Sequence, residues 1–144
     1  MADAGPYIRY MSAAEPLTAD DLLHLHLGLP GKRTELVRGR LVVSEPPGYW
    51  HGRVTAELFM AVGFFAKDHN AGHVLASETG FKLRHDPDTV RAAHVSFVGR
   101  DRLPDPPLLG YAEMAPDLAV EVLSPSLPLG WERIARYARR CAGR

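Results

Sequence analysis

The chain has 144 residues, and its 17 lysines and arginines balance 17 aspartates and glutamates, so it carries no global basic field of the kind that advertises a nucleic-acid partner. Its one cysteine, Cys141, excludes an internal disulfide and fits a reducing compartment. The length suits a single domain with a real core and is short for two.

The N-terminus lacks the basic start and long apolar stretch of a signal peptide, and the densest apolar run, around Leu58 to Ala66, is far shorter than a membrane span. A soluble cytoplasmic protein is expected. Residues 1–16 show no sustained periodicity and read as a flexible N-terminal tail, with one domain over 17–144. Thr18, followed by Asp20 and Asp21, resembles a helix N-cap with acidic residues in the first turn. A short helix through Leu22, Leu23 and Leu25 is therefore predicted, ended by Leu29-Pro30-Gly31. Thr34 to Val37 and Arg40 to Ser44 are β-prone runs flanking Arg38-Gly39, a hairpin signature in which glycine supplies a positive φ.

From His51 to Asp68, Val54, Leu58, Ala61, Val62 and Phe65 recur at helical spacing, which predicts one long amphipathic helix stopped near Asn70-Ala71-Gly72. Two strands are expected next, His73 to Leu83 and Thr89 to Val98, separated by His85-Asp86-Pro87-Asp88. A proline-rich loop from Leu103 to Pro107 leads onward. The last segment, Trp131 to Ala142, places Trp131, Ile134, Tyr137, Ala138 and Cys141 on one helical stripe and Arg133, Arg136, Arg140 and Arg144 on another. The order of elements argues for an α/β fold, a mixed sheet flanked by helices.

Glu121 stands out chemically. It lies within the apolar run Leu118, Ala119, Val120, Val122 and Leu123, which is stopped by Ser124-Pro125 and reads as a strand covered on both sides. A carboxylate there needs a cation, a metal or a hydrogen-bond cage, which makes it a site candidate; the plainer reading is a structural ion pair at a strand end. No glycine-rich phosphate loop, Ser-His-Asp order or paired-cysteine zinc motif occurs.

Three blocks carry a resemblance: Thr34-Glu35-Leu36-Val37-Arg38-Gly39-Arg40-Leu41-Val42-Val43, residues 89–98 (Thr-Val-Arg-Ala-Ala-His-Val-Ser-Phe-Val), and residues 116–126 (Pro-Asp-Leu-Ala-Val-Glu-Val-Leu-Ser-Pro-Ser). In order and from about Leu17 to the final helix, they resemble the Uma-type restriction-endonuclease family of the PD-(D/E)XK nuclease superfamily. The resemblance implies a restriction-endonuclease-like α/β fold, a mixed central sheet flanked by helices, and a Mg or Mn-dependent endonuclease that hydrolyses DNA phosphodiesters. Two carboxylates would hold the divalent cation and a lysine would orient the attacking water. By position, Glu121 matches the metal-binding glutamate, Glu35 a second acidic residue approaching from the hairpin, and His51 a polar position at the start of the long helix.

The departures are as informative. Where the family has Pro-Asp, this chain has Ala93-His94, and imidazole suits Mn²⁺ or Zn²⁺ better than Mg²⁺. Leu123 stands at the lysine position of the Glu-x-Lys motif. The position in the following helix that supplies a lysine in many members holds Arg133, which keeps the charge but does not readily lose a proton. The chain also ends at Arg144, where family members continue into another strand, so the final strand is expected to be missing and a sheet edge unpaired.

Two functional readings follow. In one, Glu121 and His94 form a substituted metal site, with Glu35 and Arg133 assisting an impaired DNA hydrolysis. In the other, a catalytically inactive descendant keeps the fold as a module for nucleic-acid or protein binding, or is a truncated remnant. Many nucleases of the superfamily cut as homodimers, although nothing in these residues marks a dimer face. His24 and His26 read as ordinary helix-surface residues, Asp117 as a cap at its strand entry, and Glu35, in its plainer reading, as the partner of an arginine across the hairpin.

Overall fold

In the computed structural model of the chain, the described residues are 8–11, 15–25, 32–106 and 108–123. They form strand β1 (Ile8–Met11), helix α1 (Ala19–Leu25), β2 (Arg33–Val37), β3 (Arg40–Ser44), helix α2 (Tyr49–Asp68), β4 (Gly72–Ala76), β5 (Phe81–Arg84), β6 (Thr89–Arg91), β7 (Val95–Gly99) and β8 (Leu118–Val120), with a 3₁₀ turn at Arg100–Arg102. One sheet has the order β1-β3-β2-β6-β5 and the other β4-β7-β8. The expected α/β class stands. Instead of one mixed sheet there are two, with every strand ladder antiparallel and the Phe81–Ala112 bridge as the one parallel pairing among the described residues.

Local chemistry explains the first elements. Thr18 Oγ1 accepts the Asp21 N–H at 3.1 Å while Asp21 Oδ2 accepts the Thr18 N–H at 2.8 Å. This reciprocal cap satisfies two of the donors that a helix start leaves bare. The β2–β3 hairpin turns at Arg38 and Gly39, whose φ values of 50° and 72° are the paired positive angles of a type I′ turn. Residues 8–11, expected in the loose tail, instead pair with β3, Ile8 opposite Ser44 and Met11 opposite Leu41. The ladder gives backbone groups of that segment partners that side-chain periodicity does not reveal.

The core of the first sheet joins Leu36, Leu41 and Val90 to Ala19 and Leu22 of α1. Asp88 locks this contact. Its Oδ2 accepts the Ala19 N–H at 2.8 Å and meets Lys82 Nζ at 3.1 Å. Burial alone would push the Asp88 carboxyl up, but the Ala19 amide and the Lys82 ammonium outweigh it and hold it below the usual range.

The two expected strands over residues 73–98 each divide in two. Residues 77–80 and 92–94 carry the chain between the sheets, so β4 and β7 join one while β5 and β6 join the other. Ala92 and Ala93, each 6% exposed, pass through the crowded crossing with minimal side-chain volume. The start of β4 is equally tight. Gly72 has φ 151°, and a Cβ there would lie 2.1 Å from the Val98 carbonyl oxygen.

Helix α2 covers the smaller sheet. The closest-packed positions are His51 and Ala66, with Val54, Leu58 and Val62 half-buried, whereas Ala61 and Phe65, expected on the packed face, are exposed. The strand expected to be covered on both sides also differs. Leu118 and Leu123 are exposed, and Glu121 lies just beyond the end of β8 with 32% of its side chain accessible. Among the described residues β8 pairs only with β7, as a sheet-edge strand. At its entry, Asp117 Oδ2 accepts the Gly99 N–H at 2.8 Å and Oδ1 binds Arg102, in line with its expected capping role. No described helix is long and apolar enough to cross a membrane.

Candidate functional site

Strand alternation assembles the site. Successive side chains of β2 point to opposite faces, so Leu36 enters the core under α1 while Arg33 and Glu35 share the other face. Leu36 pairs with Val90 of β6, and one step along this antiparallel ladder Glu35 meets Arg91, with Nε and Oε1 3.3 Å apart. In the smaller sheet Val95 pairs with Val120. One step beyond that pair, His94 meets Glu121, and Nδ1 lies 2.6 Å from Oε2.

The crossing from β6 to β7 brings the two pairs together. Where β6 ends, the Ala92 N–H donates to Glu35 Oε1 at 2.8 Å, and its carbonyl accepts from Arg33 Nη2. These bonds replace ladder bonds lost at the crossing. The Arg33 guanidinium then reaches every acidic member: Nη2 is 3.3 Å from Glu35 Oε1 and 4.0 Å from Glu121 Oε1, while Nη1 is 2.9 Å from His94 Nε2. Arginine can only donate, so Nε2 is the acceptor of the Arg33 contact. The Val122 N–H also lies 3.0 Å from Nδ1. Nδ1 thus faces both the Val122 amide and the Glu121 carboxylate, whose Oε2 is 2.6 Å away.

His51, in the first turn of α2, completes the group. Its ring meets His94 edge to face, with centroids 4.3 Å apart and planes at 72°. Nε2–H donates to the Val122 carbonyl at 3.1 Å, and Nδ1 is buried with no hydrogen-bond partner among the described residues. Burial, and behind it the His94 ring, pushes the His51 imidazole below its ordinary value of 6.5, with Arg33 adding to the effect and Glu121 opposing it. The first turn of a helix also disfavours a cation. An unfolded chain takes up this proton near 6.5 and the folded chain only at lower pH, so the unfolded state is favoured as pH falls through that interval. The expected result is that unfolding free energy drops between about pH 7 and pH 5, and that His51→Gln flattens part of the drop in urea titrations. An unchanged slope in the variant would remove His51 as the source.

A cleft of about 710 Å³ opens beside this cluster, lined in its polar part by Arg33, Glu35, His51, Arg91 and His94. The structure thus brings together Glu35, His51, His94 and Glu121 from the sequence-based candidates. Arg133 lies outside the described residues, as do His26, residues 29–31 and the expected final helix. His24 is exposed, with Nδ1 at 2.7 Å from the Asp20 carbonyl, an ordinary surface residue as expected. Glu35 does pair with arginines, on its own strand and on β6 rather than across the hairpin. Arg33 and Arg91 were not singled out from the sequence. The signal for Arg33 is its position two residues before Glu35, on the same face of a strand.

Among the described residues, no three or more His, Cys, Asp or Glu are grouped so as to hold a metal ion. The donors nearest to doing so are engaged with one another and with Arg33. This arrangement does not fit a divalent cation.

A two-sheet α/β fold of this kind is found in a known crystal structure. A protein of Anabaena variabilis ATCC 29413, described as a putative nuclease belonging to DUF820, superposes with a TM-score of 0.64 at 18% identity, covering 88% of this chain and 68% of that one. The sequence matches the Uma2 family, described as putative restriction endonuclease, over residues 19–139, and the chain belongs to that family. No curated protein matches the chain.

Proposed function

We propose that this chain is a DNA-recognising member of the restriction-endonuclease family in which metal-dependent phosphodiester hydrolysis is impaired. Family membership supports DNA as the polymer. The single observation that carries the impairment is the Arg33 guanidinium lying between Glu35, His94 and Glu121. Glu121 and His94 stand at the two positions where the family resemblance places metal ligands, and here Glu121 Oε2 lies 2.6 Å from His94 Nδ1. Hydrolysis through Glu121 and His94, with Arg133 on the phosphate, would first require Arg33 to withdraw.

The balanced overall charge predicts weak, salt-sensitive association. In fluorescence anisotropy a labelled duplex is expected to bind with Kd on the order of 1 to 100 µM, weakening steeply as salt is raised. In parallel, supercoiled plasmid incubated with Mg²⁺ or Mn²⁺ should remain uncut beyond the chelator control. Metal-dependent nicking that Glu121→Gln abolishes would overturn the impairment. Absence of any salt-sensitive duplex binding would overturn DNA as the ligand.

A further inference from the structure

We infer that two copies of this chain pair through the outward side of helix α2, antiparallel, about a two-fold axis that passes between Ala61 and Val62. The inference is independent of the DNA reading above, and its test involves neither nucleic acid nor metal.

Helical spacing gives α2 two sides. Its closest-packed positions, His51 and Ala66, share one side with half-buried Thr55, Leu58 and Val62, and that side meets β4 and β7 of the smaller sheet. Tyr49, Arg53, Met60 and Phe64 fall on the opposite side. Three of these are large and apolar, and Tyr49 keeps 86%, Met60 50% and Phe64 65% of its surface exposed. A surface helix needs only one apolar side, and a helix that is apolar on two is built to be covered twice. The sheet covers one side, and the other stays open among the described residues. Gly63 adds an independent sign. A glycine in mid-helix costs about 1 kcal/mol relative to alanine, yet a Cβ there would meet nothing within 4 Å. Packing within the described chain does not call for it, whereas Ala56 and Gly63, beside Met60, leave room for a second helix to approach.

Charge identifies the occupant. Arg53 and Glu57 stand towards the N-terminal end of this side, and Lys67 and Asp68 at its C-terminal end. In an antiparallel pair centred between Ala61 and Val62, Glu57 of each copy faces Lys67 of the other. Arg53 then comes within one turn of Asp68, and Met60 meets Phe64. A parallel pair would instead set each charge against its like. The pattern is therefore self-complementary, which an isologous two-fold contact requires and an unrelated partner does not. With 17 basic and 17 acidic residues, the chain also has no net charge to hold two copies apart.

Area sets the strength. At about 150–250 Å² for a fully exposed large side chain, Tyr49, Met60 and Phe64 offer roughly 400 Å² of uncovered surface per copy. The stems of Arg53, Glu57 and Lys67 bring the footprint to on the order of 600–700 Å² a side, the low end for a specific interface. A reversible dimer with a dissociation constant of about 1–50 µM is expected.

Sedimentation equilibrium of the full chain, from about 1 to 200 µM, tests this on the wild type, Phe64→Glu, Glu57→Lys, Lys67→Glu and Glu57→Lys/Lys67→Glu. The wild type should dimerise. Phe64→Glu, which acts twice in each dimer, should weaken association at least about 100-fold while the melting temperature of the monomer stays unchanged. Each single charge reversal should weaken it at least about fivefold, and the double reversal, which restores opposite signs across an antiparallel pair, should recover most of the loss. Recovery in the double variant is specific to this register. Should Phe64→Glu fail to fold, the three charge variants decide the matter alone. A wild type that is monomeric at 200 µM would overturn the inference; if Phe64→Glu then lowers its melting temperature, the side is covered by residues 124–144 of the same chain. A dimer indifferent to Phe64→Glu, or a double reversal no better than the singles, would overturn it as well.

Discussion

Replacing Glu35 with glutamine is expected to lower the unfolding free energy by about 3 kcal/mol, equivalent to roughly 10 °C in melting temperature for a chain of this size. Glu35 is 8% exposed, and its Oε1 accepts the Ala92 N–H while facing two guanidinium groups at 3.3 Å. A glutamine can keep one acceptor but withdraws the negative charge. Two arginines then face each other across a partly buried space, and the penalty comes mainly from those uncompensated cations rather than from the lost bonds. Arg33 retains 24% side-chain exposure, so water recovers some of the loss and the lower end of the buried-pair range applies. Urea denaturation at pH 7 measures it, and a loss below about 1 kcal/mol would mean that both guanidinium groups reach solvent without rearrangement.

The second large effect is in the core. Phe81→Ala is expected to cost about 3–5 kcal/mol, the range for removing a buried aromatic ring. Phe81 is 2% exposed and ties three segments together: it pairs with Arg91 across β5 and β6, bridges Ala112, and is followed by Lys82, whose N–H donates to the Ala112 carbonyl at 2.8 Å. Truncation removes the ring beside the strand end that carries Arg91 and Ala92. The variant should therefore lose stability and also loosen the site, visible as faster amide exchange at Ala92 than the global destabilisation accounts for. A Phe81→Ala protein within about 1 kcal/mol of wild type would show that this part of the sheet collapses around the missing ring.

Some of this architecture is legible in the residues themselves. The capped helix at Thr18, the Arg38-Gly39 hairpin and the long helix before Asn70 follow from local rules, because caps, positive φ values and helical spacing act over a few positions. The breaks at residues 77–80 and 92–94 are not legible. Ser77-Glu78-Thr79-Gly80 and Ala92-Ala93-His94 do not by themselves say that the chain changes sheets; that follows only from the pairing of β4 with β7 and of β5 with β6.

The site shows the same division. Glu35, His51, His94 and Glu121 are visible as blocks in the sequence, and the register of β7 with β8 turns two of those blocks into one close pair. Arg33 is different. Its partners Ala92 and His94 lie 59 and 61 residues away in sequence, so its role exists only once the sheets are assembled. The expectation of a desolvated Glu121 inside a covered strand rested on the unbroken apolar run around it, whereas the plainer reading of an ion pair at a strand end matches its place just beyond β8. Its place beyond the strand end gives the carboxylate solvent, a histidine and a nearby arginine instead.

A guanidinium-filled site is tested most directly by a crystal structure of the wild-type protein from crystals soaked in manganese chloride, with anomalous scattering used to locate the metal. The predicted result is the Arg33 guanidinium between Glu35 and Glu121, with His94 Nδ1 on Glu121 and no anomalous peak within coordination distance of either carboxylate. A manganese peak held by Glu121 and His94, with Arg33 turned away into solvent, would contradict it.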